Sequence, residues 1–175
     1  MAADWWRLSV DQWRELLADD QMQASFYDKA YRADGCHWWT GAISESGHGR
    51  LRAPRHMGNR VVAAHLYGYQ LAAGPVPPDA QGRRPVLAHR CDNASCVNAS
   101  HVRPRSGAFN AQEYQARKGD LAGPLADRRG PAGRARAIRD VILSGLAAGL
   151  SAEQIQREIA RASAAGLPGE QGSLF

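Results

Sequence analysis

The sequence predicts an α+β chain in which short strands and a metal-bound loop form the centre and helices flank it. Three observations carry this reading. All three cysteines and all six histidines fall between residues 35 and 119. That stretch breaks into short extended pieces separated by Gly and Pro. Apolar residues at helical spacing dominate the two ends of the chain instead.

The elements follow in order. Ser9 with Gln12 three residues on is a capping box, and Val10, Trp13, Leu16 and Leu17 recur at helical spacing behind it. A second helix fits Met22, Phe26, Ala30 and Ala33 and ends at Gly35. Cys36 to Thr40 and Gly49 to Ala53 read as extended, followed by a turn through Pro54 to Asn59 and a further extended piece, Arg60 to Ala64. Val62, Leu66, Tyr69 and Ala73 fit a helix that Gly74-Pro75 stops. Pro75 to Arg84 is a loop, and Pro85 to Ala88 is a strand leading into a Cys/His cluster. Ser106 suits the N-cap of a helix running to about Arg117. The Gly-, Pro- and Arg-rich run from Lys118 to Arg136 reads as a linker. Helices over Ala135 to Ala148 and Ala152 to Ala164 complete the order, the second opened by a capping box of Ser151 and Gln154. The expected division is an N-terminal helical segment (1–34), a domain carrying the cluster (35–119), a linker (120–134), a helical hairpin (135–165) and a flexible tail (166–175).

At 175 residues the chain has room for one compact domain with appendages. No run approaches the ~18 apolar residues of a membrane span. The start, Met1 to Trp6, lacks a basic region followed by an apolar core, so export is not expected. The net charge of +5 is uneven. Residues 35–119 hold eleven basic and four acidic side chains, and ten of the eleven are arginine. Arginine offers a planar donor fork suited to phosphate and to guanine edges. A solvated basic face is the plainer alternative.

Cys91, Cys96 and His101 have four residues between each pair, and Cys36 lies upstream beside Trp38 and Trp39. Three thiolates and one imidazole make a closed tetrahedral zinc site that accounts for every cysteine. The alternative is three separate buried thiols. Against that, the intervening Asp92, Asn93, Ser95 and Asn98 make the loop too polar to hold itself by burial.

The run HRCDNASCVNASH, followed nine residues later by Asn110, resembles the zinc-stapled branch of the HNH (His-Me finger, ββα-metal) homing endonucleases. The pieces Cys36 to Gly41, Gly47 to Arg50 and Ala64-His65 are similar to the same family's first strands and first core helix. The resemblance covers about residues 36–117. It implies a ββα-metal nuclease core and hydrolysis of DNA phosphodiester bonds, in an enzyme of phage or mobile-element type. By position, His89 matches the general base and Asn110 the ligand of a catalytic divalent cation, most often Mg²⁺. Cys36, Cys91, Cys96 and His101 match the structural zinc ligands, and Asn98 matches the asparagine that braces the loop.

The chemistry of these residues agrees with those roles. Phosphodiester hydrolysis needs a water, a base and a cation at the phosphate. Asn110 falls one turn into the helix that Ser106 caps, where its amide oxygen is a hard neutral ligand. There are departures. Ala88 stands where many HNH enzymes have a second, carboxylate metal ligand. Ala94 and Ala99 replace the usual prolines, Leu66 replaces an arginine, and Arg105 replaces a glycine before the helix cap. Arg50, Arg52, Arg60, Arg90, Arg103 and Arg105 are the expected DNA contacts. A non-catalytic zinc-stapled DNA-binding module is the competing reading. DNA is the expected partner and the bacterial cytoplasm, at the nucleoid, the expected location.

The helices over 135–164 resemble the first two of a helix-turn-helix unit, with a plain helical hairpin as the alternative. Gln171, Leu174 and Phe175 resemble the peptide by which bacterial replication and repair proteins dock on the sliding clamp. Leu174 and Phe175 would fill an apolar pocket, and Gln171 would bond at its rim. A pull-down on bacterial sliding clamp should therefore retain the full chain and lose a chain lacking residues 171–175. Equal retention of the two forms would remove the docking peptide.

Overall fold

The computed structural model describes residues 8–168. Gln171, Leu174 and Phe175 lie outside the described residues. The fold is mixed α+β, with three two-stranded antiparallel ladders between helices. In chain order the elements are α1 (Val10–Ala18), α2 (Asp20–Lys29), β1 (Ala30–Arg32), β2 (His37–Trp39), β3 (Arg50–Arg52), β4 (Val61–Ala63), α3 (Ala64–Ala73), β5 (Val86–His89), β6 (Val102–Arg105), α4 (Gly107–Arg117), α5 (Gly130–Ala147) and α6 (Ala152–Ala164).

The capping boxes lie where the sequence puts them. Ser9 Oγ accepts from the Gln12 amide at 3.1 Å, and Gln12 Oε1 accepts from the Ser9 amide at 2.9 Å. Ser151 and Gln154 repeat the exchange at the start of α6. Two boundaries differ from the sequence reading. The second helix stops at Lys29, and Ala30–Arg32 instead form β1, paired with β2. Ladder bonds to His37 and Trp39 outcompete a helical continuation that would leave those strand groups unpaired. The helix after the linker opens at Gly130, inside the stretch read as flexible. Pro131 accounts for this, because a proline in the first helical turn lacks only an N–H that would be unsatisfied anyway.

The ladders pair in short registers. Leu51 faces Val62 across β3–β4, and His89 faces Val102 across β5–β6. The chain from β5 through the Cys/His loop to β6 and then α4 is an antiparallel pair followed by a helix that packs on β5.

The core has two parts, and β2 divides them. Successive strand residues face opposite ways. Trp39 enters the main core with Trp13, Leu16, Met22, Phe26, Leu51, Val62 and Tyr67. The N-terminal helices thus share one core with the strands rather than forming a separate unit. Trp38 enters a second core with Ile138, Ile142, Ile155 and Ile159 of the α5–α6 hairpin.

A polar contact fixes the hairpin as well. Arg134 on α5 is buried and donates from Nε to Asn93 Oδ1 at 2.9 Å, in the Cys/His loop. Its Nη1 reaches Asp127 Oδ2 at 3.2 Å and the Ser163 carbonyl at 2.8 Å. The Asp127 side chain is 1% exposed, and a hydrogen bond from Arg129 holds its carboxyl below the usual carboxylate range. Removing one partner of such a cluster leaves a buried charge under-compensated. Arg134→Ala should destabilise the chain by about 3–5 kcal/mol in denaturant melts. Asp127 gives stability that is present above its unfolded pKa and lost as pH falls through its lower folded pKa. Asp127→Asn should therefore flatten the acid limb of a pH–stability curve below about pH 4. An unchanged acid limb would show that the carboxylate is not linked to folding.

Candidate metal centre and cleft

The loop between β5 and β6 and the residue before β2 converge on one cluster. Cys36, Cys91, Cys96 and His101 each offer a ligand atom, and these atoms lie within 4.8 Å of one another. His101 Nδ1 is 3.6 Å from both Cys36 Sγ and Cys96 Sγ. A tetrahedral zinc with ordinary Zn–S and Zn–N bonds has a sulfur–nitrogen edge of about 3.6 Å. The donor set and its spacing therefore fit a metal such as zinc.

The surrounding backbone holds the ligands in place. The Cys96 amide donates to the Asn93 carbonyl at 3.0 Å, and the Arg90 amide to the His101 carbonyl at 2.7 Å. Asn98 ties the loop to the segment before β2: its Nδ2 donates to the Gly35 carbonyl, next to Cys36, at 2.6 Å. Its Oδ1 accepts from the Ser100 amide and hydroxyl at 3.0 and 2.8 Å. Asn93 Nδ2 lies 3.5 Å from Cys36 Sγ, so the Asn93 side chain links the cluster to Arg134. Among the thiols, hydrogen bonding from Cys36 lowers Cys91, while the same contact pushes Cys36 up to about 12 and Cys36 in turn raises Cys96. Crowded together, the three thiols oppose one another's ionisation, and a cation between them would favour all three thiolates.

His89, the last residue of β5, has its Nε2 2.9 Å from the Cys96 carbonyl. A carbonyl only accepts, so Nε2 carries the proton and Nδ1 keeps its lone pair. Burial pushes the imidazole below its usual pKa, which keeps it neutral. The metal-site loop thereby fixes both the ring and its tautomer. Asn110 sits one turn into α4, where the Ser106 hydroxyl accepts from the Phe109 amide at 3.2 Å. His89 and Asn110 line the same open cleft of about 950 Å³, together with Arg50, Tyr114 and Arg117.

Two further histidines stand beside His89, and the sequence reading did not place them in the site. The His48, His65 and His89 ring centroids are 4.8, 5.8 and 4.6 Å apart for the pairs 48–65, 48–89 and 65–89. His48 is set by its neighbours. Gly47 has φ +84°, which favours glycine, and a Cβ on Gly49 would fall 2.5 Å from Trp39 Cγ. His65 lies in the first turn of α3 and is buried. Burial lowers His48 to about 4 and holds His65 well below the usual histidine value. The Gly-His-Gly turn and the Ala64-His65 helix start were visible in the sequence, but no local spacing joins them to His89.

The expected DNA-contacting arginines divide. Arg50 lines the cleft. Arg52 is exposed and donates to Asn59 Oδ1 at 3.1 Å, and Arg60 and Arg90 are exposed. Arg103 and Arg105 do not line the cleft. Arg103 pairs with Glu113 of α4, and Arg105 lies 3.5 Å from the same carboxylate with its guanidinium 5.1 Å from the Phe109 ring centroid. Arg117 lines the cleft in their place, 2.9 Å from Asp92.

No helix among the described residues is long and apolar enough to cross a membrane. No family model and no solved structure matches the chain. Over 69 residues it is 32% identical to Protein 7.7 of Escherichia phage T7, a match covering 39% of this chain and 46% of that protein. The chain thus spans less than half the length of the relative it matches.

The polar loop cannot hold this geometry by burial, so metal removal should unfold it. Protein purified without chelators should keep one zinc per chain through dialysis, measured by atomic emission. Cys96→Ser should lose that zinc and become protease-sensitive between residues 85 and 105. Full zinc content in Cys96→Ser would dismiss the cluster as the zinc site.

Proposed function

We propose that the chain is a metal-dependent DNA endonuclease or nickase of the zinc-stapled HNH type, with β5, β6 and α4 as its ββα-metal core. One observation carries this reading: His89, with a free Nδ1 lone pair, and Asn110 open from different elements onto the same cleft.

In this mechanism a water in the cleft attacks the scissile phosphorus as the bond from phosphorus to the leaving oxygen breaks. His89 Nδ1 accepts the water's proton, and solvent protonates the leaving oxygen. Asn110 would hold a divalent cation, Mg²⁺ or a similar ion, through its amide oxygen. When bound, such an ion stabilises charge on the phosphate and on the leaving oxygen. The Cys₃His cluster would hold a structural zinc, and the loop it organises fixes the Cys96 carbonyl and through it the ring of the base. Arg50 and Arg117, on the cleft wall, pair with the DNA backbone. The match to a phage protein supports a phage setting, and action on DNA in the bacterial cytoplasm belongs to the same reading. One feature favours the alternative, a non-catalytic zinc-stapled DNA-binding module: the residue before His89 is buried Ala88, so Asn110 is the cation's single expected protein ligand.

Supercoiled plasmid with Mg²⁺ separates the two. The wild-type chain should nick or cut it, and His89→Ala and Asn110→Ala should each lose about 10²–10⁴-fold in rate while still binding DNA. Binding should weaken steeply with salt. Wild-type rates in His89→Ala would reject the assigned base. Binding without cleavage by the wild-type chain would establish the binding module.

A further inference from the structure

The three imidazoles in the cleft form a constellation of which the cleavage reading uses only His89. His48, His65 and His89 each offer a nitrogen, and these atoms lie within 4.8 Å of one another. The rings come from three separate elements: the turn before β3, the start of α3 and the end of β5. None is held there by helical or strand periodicity alone.

Each ring also has the surroundings of a metal ligand. Histidines that bind metals nearly always have their other nitrogen fixed by a neighbour. His89 Nε2 donates to the Cys96 carbonyl at 2.9 Å, and His48 Nδ1 lies 3.0 Å from Ser46 Oγ. His65 is 6% exposed, and its Nδ1 is buried without a hydrogen-bond partner. A buried polar atom of this kind costs free energy unless something satisfies it. No carboxylate belongs to the cluster. Asp92 and Glu45 line the cleft outside the cluster, and Asp92 is engaged by Arg117.

We propose that His48, His65 and His89 form a second metal site, distinct from the Cys₃His cluster, that takes a borderline transition-metal dication such as Zn²⁺, Co²⁺ or Ni²⁺. Three neutral nitrogen donors suit those ions, whereas Mg²⁺ and Ca²⁺ require oxygen. The three rings leave the remaining coordination positions of the ion open to the cleft, as in zinc sites with three protein ligands and a water. Low pKa values at His48 and His65 keep their lone pairs available at neutral pH. An ion here takes the His89 lone pair that a general base needs, so filling the site and base catalysis exclude each other.

The inference goes beyond the cleavage reading and stands on the three rings, so its test needs no DNA. Full-length protein with its staple zinc in place is titrated with Co²⁺ and followed by absorption and atomic emission. One further equivalent should bind, with visible d–d bands and no thiolate-to-cobalt charge-transfer band, while zinc stays at one per chain. His48→Gln and His65→Gln should each weaken that equivalent by about 100-fold or more and keep the staple zinc. His48 sits on a half-buried turn, so its substitution preserves the fold if the core substitution at His65 does not. No cobalt binding beyond the staple, or binding that carries the thiolate band and survives both substitutions, would overturn the site. In a chain that cleaves DNA, the filled site must also suppress Mg²⁺-supported cleavage. Undiminished cleavage with the second equivalent bound would take His89 out of the ligand set.

Discussion

Four consecutive residues, Cys36 to Trp39, are the point on which the fold turns. Cys36 supplies a ligand to the Cys₃His cluster. The His37 carbonyl accepts from the Val97 amide at 2.7 Å, and the Trp39 amide donates to the Ser95 carbonyl at 3.0 Å, so β2 lies directly against the metal loop. Trp38 and Trp39 then point to opposite sides and seed the two cores. Because strand side chains alternate strictly, a slip of one residue would put both tryptophans in the wrong core and carry Cys36 away from its partners. The Cys₃His cluster and the two cores therefore require the same register.

That register reaches the cleft through short, rigid links. The Cys96 carbonyl is set by the metal loop and fixes the His89 ring. Buried Trp39 sits so close to Gly49 that no side chain fits there, and this holds the His48 turn against the start of α3. The α5–α6 hairpin joins the same arrangement through Arg134 and Asn93. Three parts of the chain far apart in sequence thus place their imidazoles together, through Gly49 against Trp39 and Ala64 and through His89 on the Cys96 carbonyl.

The charge pattern takes on a different meaning in three dimensions. An arginine-rich centre suggested a broad basic face. Arg103 and Arg105 instead share Glu113, and Arg117 is balanced by Asp92. Arginines held by carboxylates are preorganised, at the expense of net field. Arg50 has no such partner among the described residues and keeps its full charge at the cleft.

The sequence by itself determined whatever local chemistry dictates. Capping boxes at Ser9 and Ser151 start helices wherever they occur, because their hydrogen bonds span only three residues. The spacing of Cys91, Cys96 and His101 makes a metal loop for the same reason. The places of Asn98 in that loop and of Asn110 one turn into the helix after it were readable for the same reason. Tertiary structure decided what depends on distant partners. It ended α2 at Lys29, because β1 found its hydrogen bonds on β2. It turned Arg103 and Arg105 toward Glu113, and it brought His48 and His65 to His89. No periodicity encodes that meeting, since it arises only when a turn, a helix start and a strand end are packed together against buried Trp39 and the metal loop.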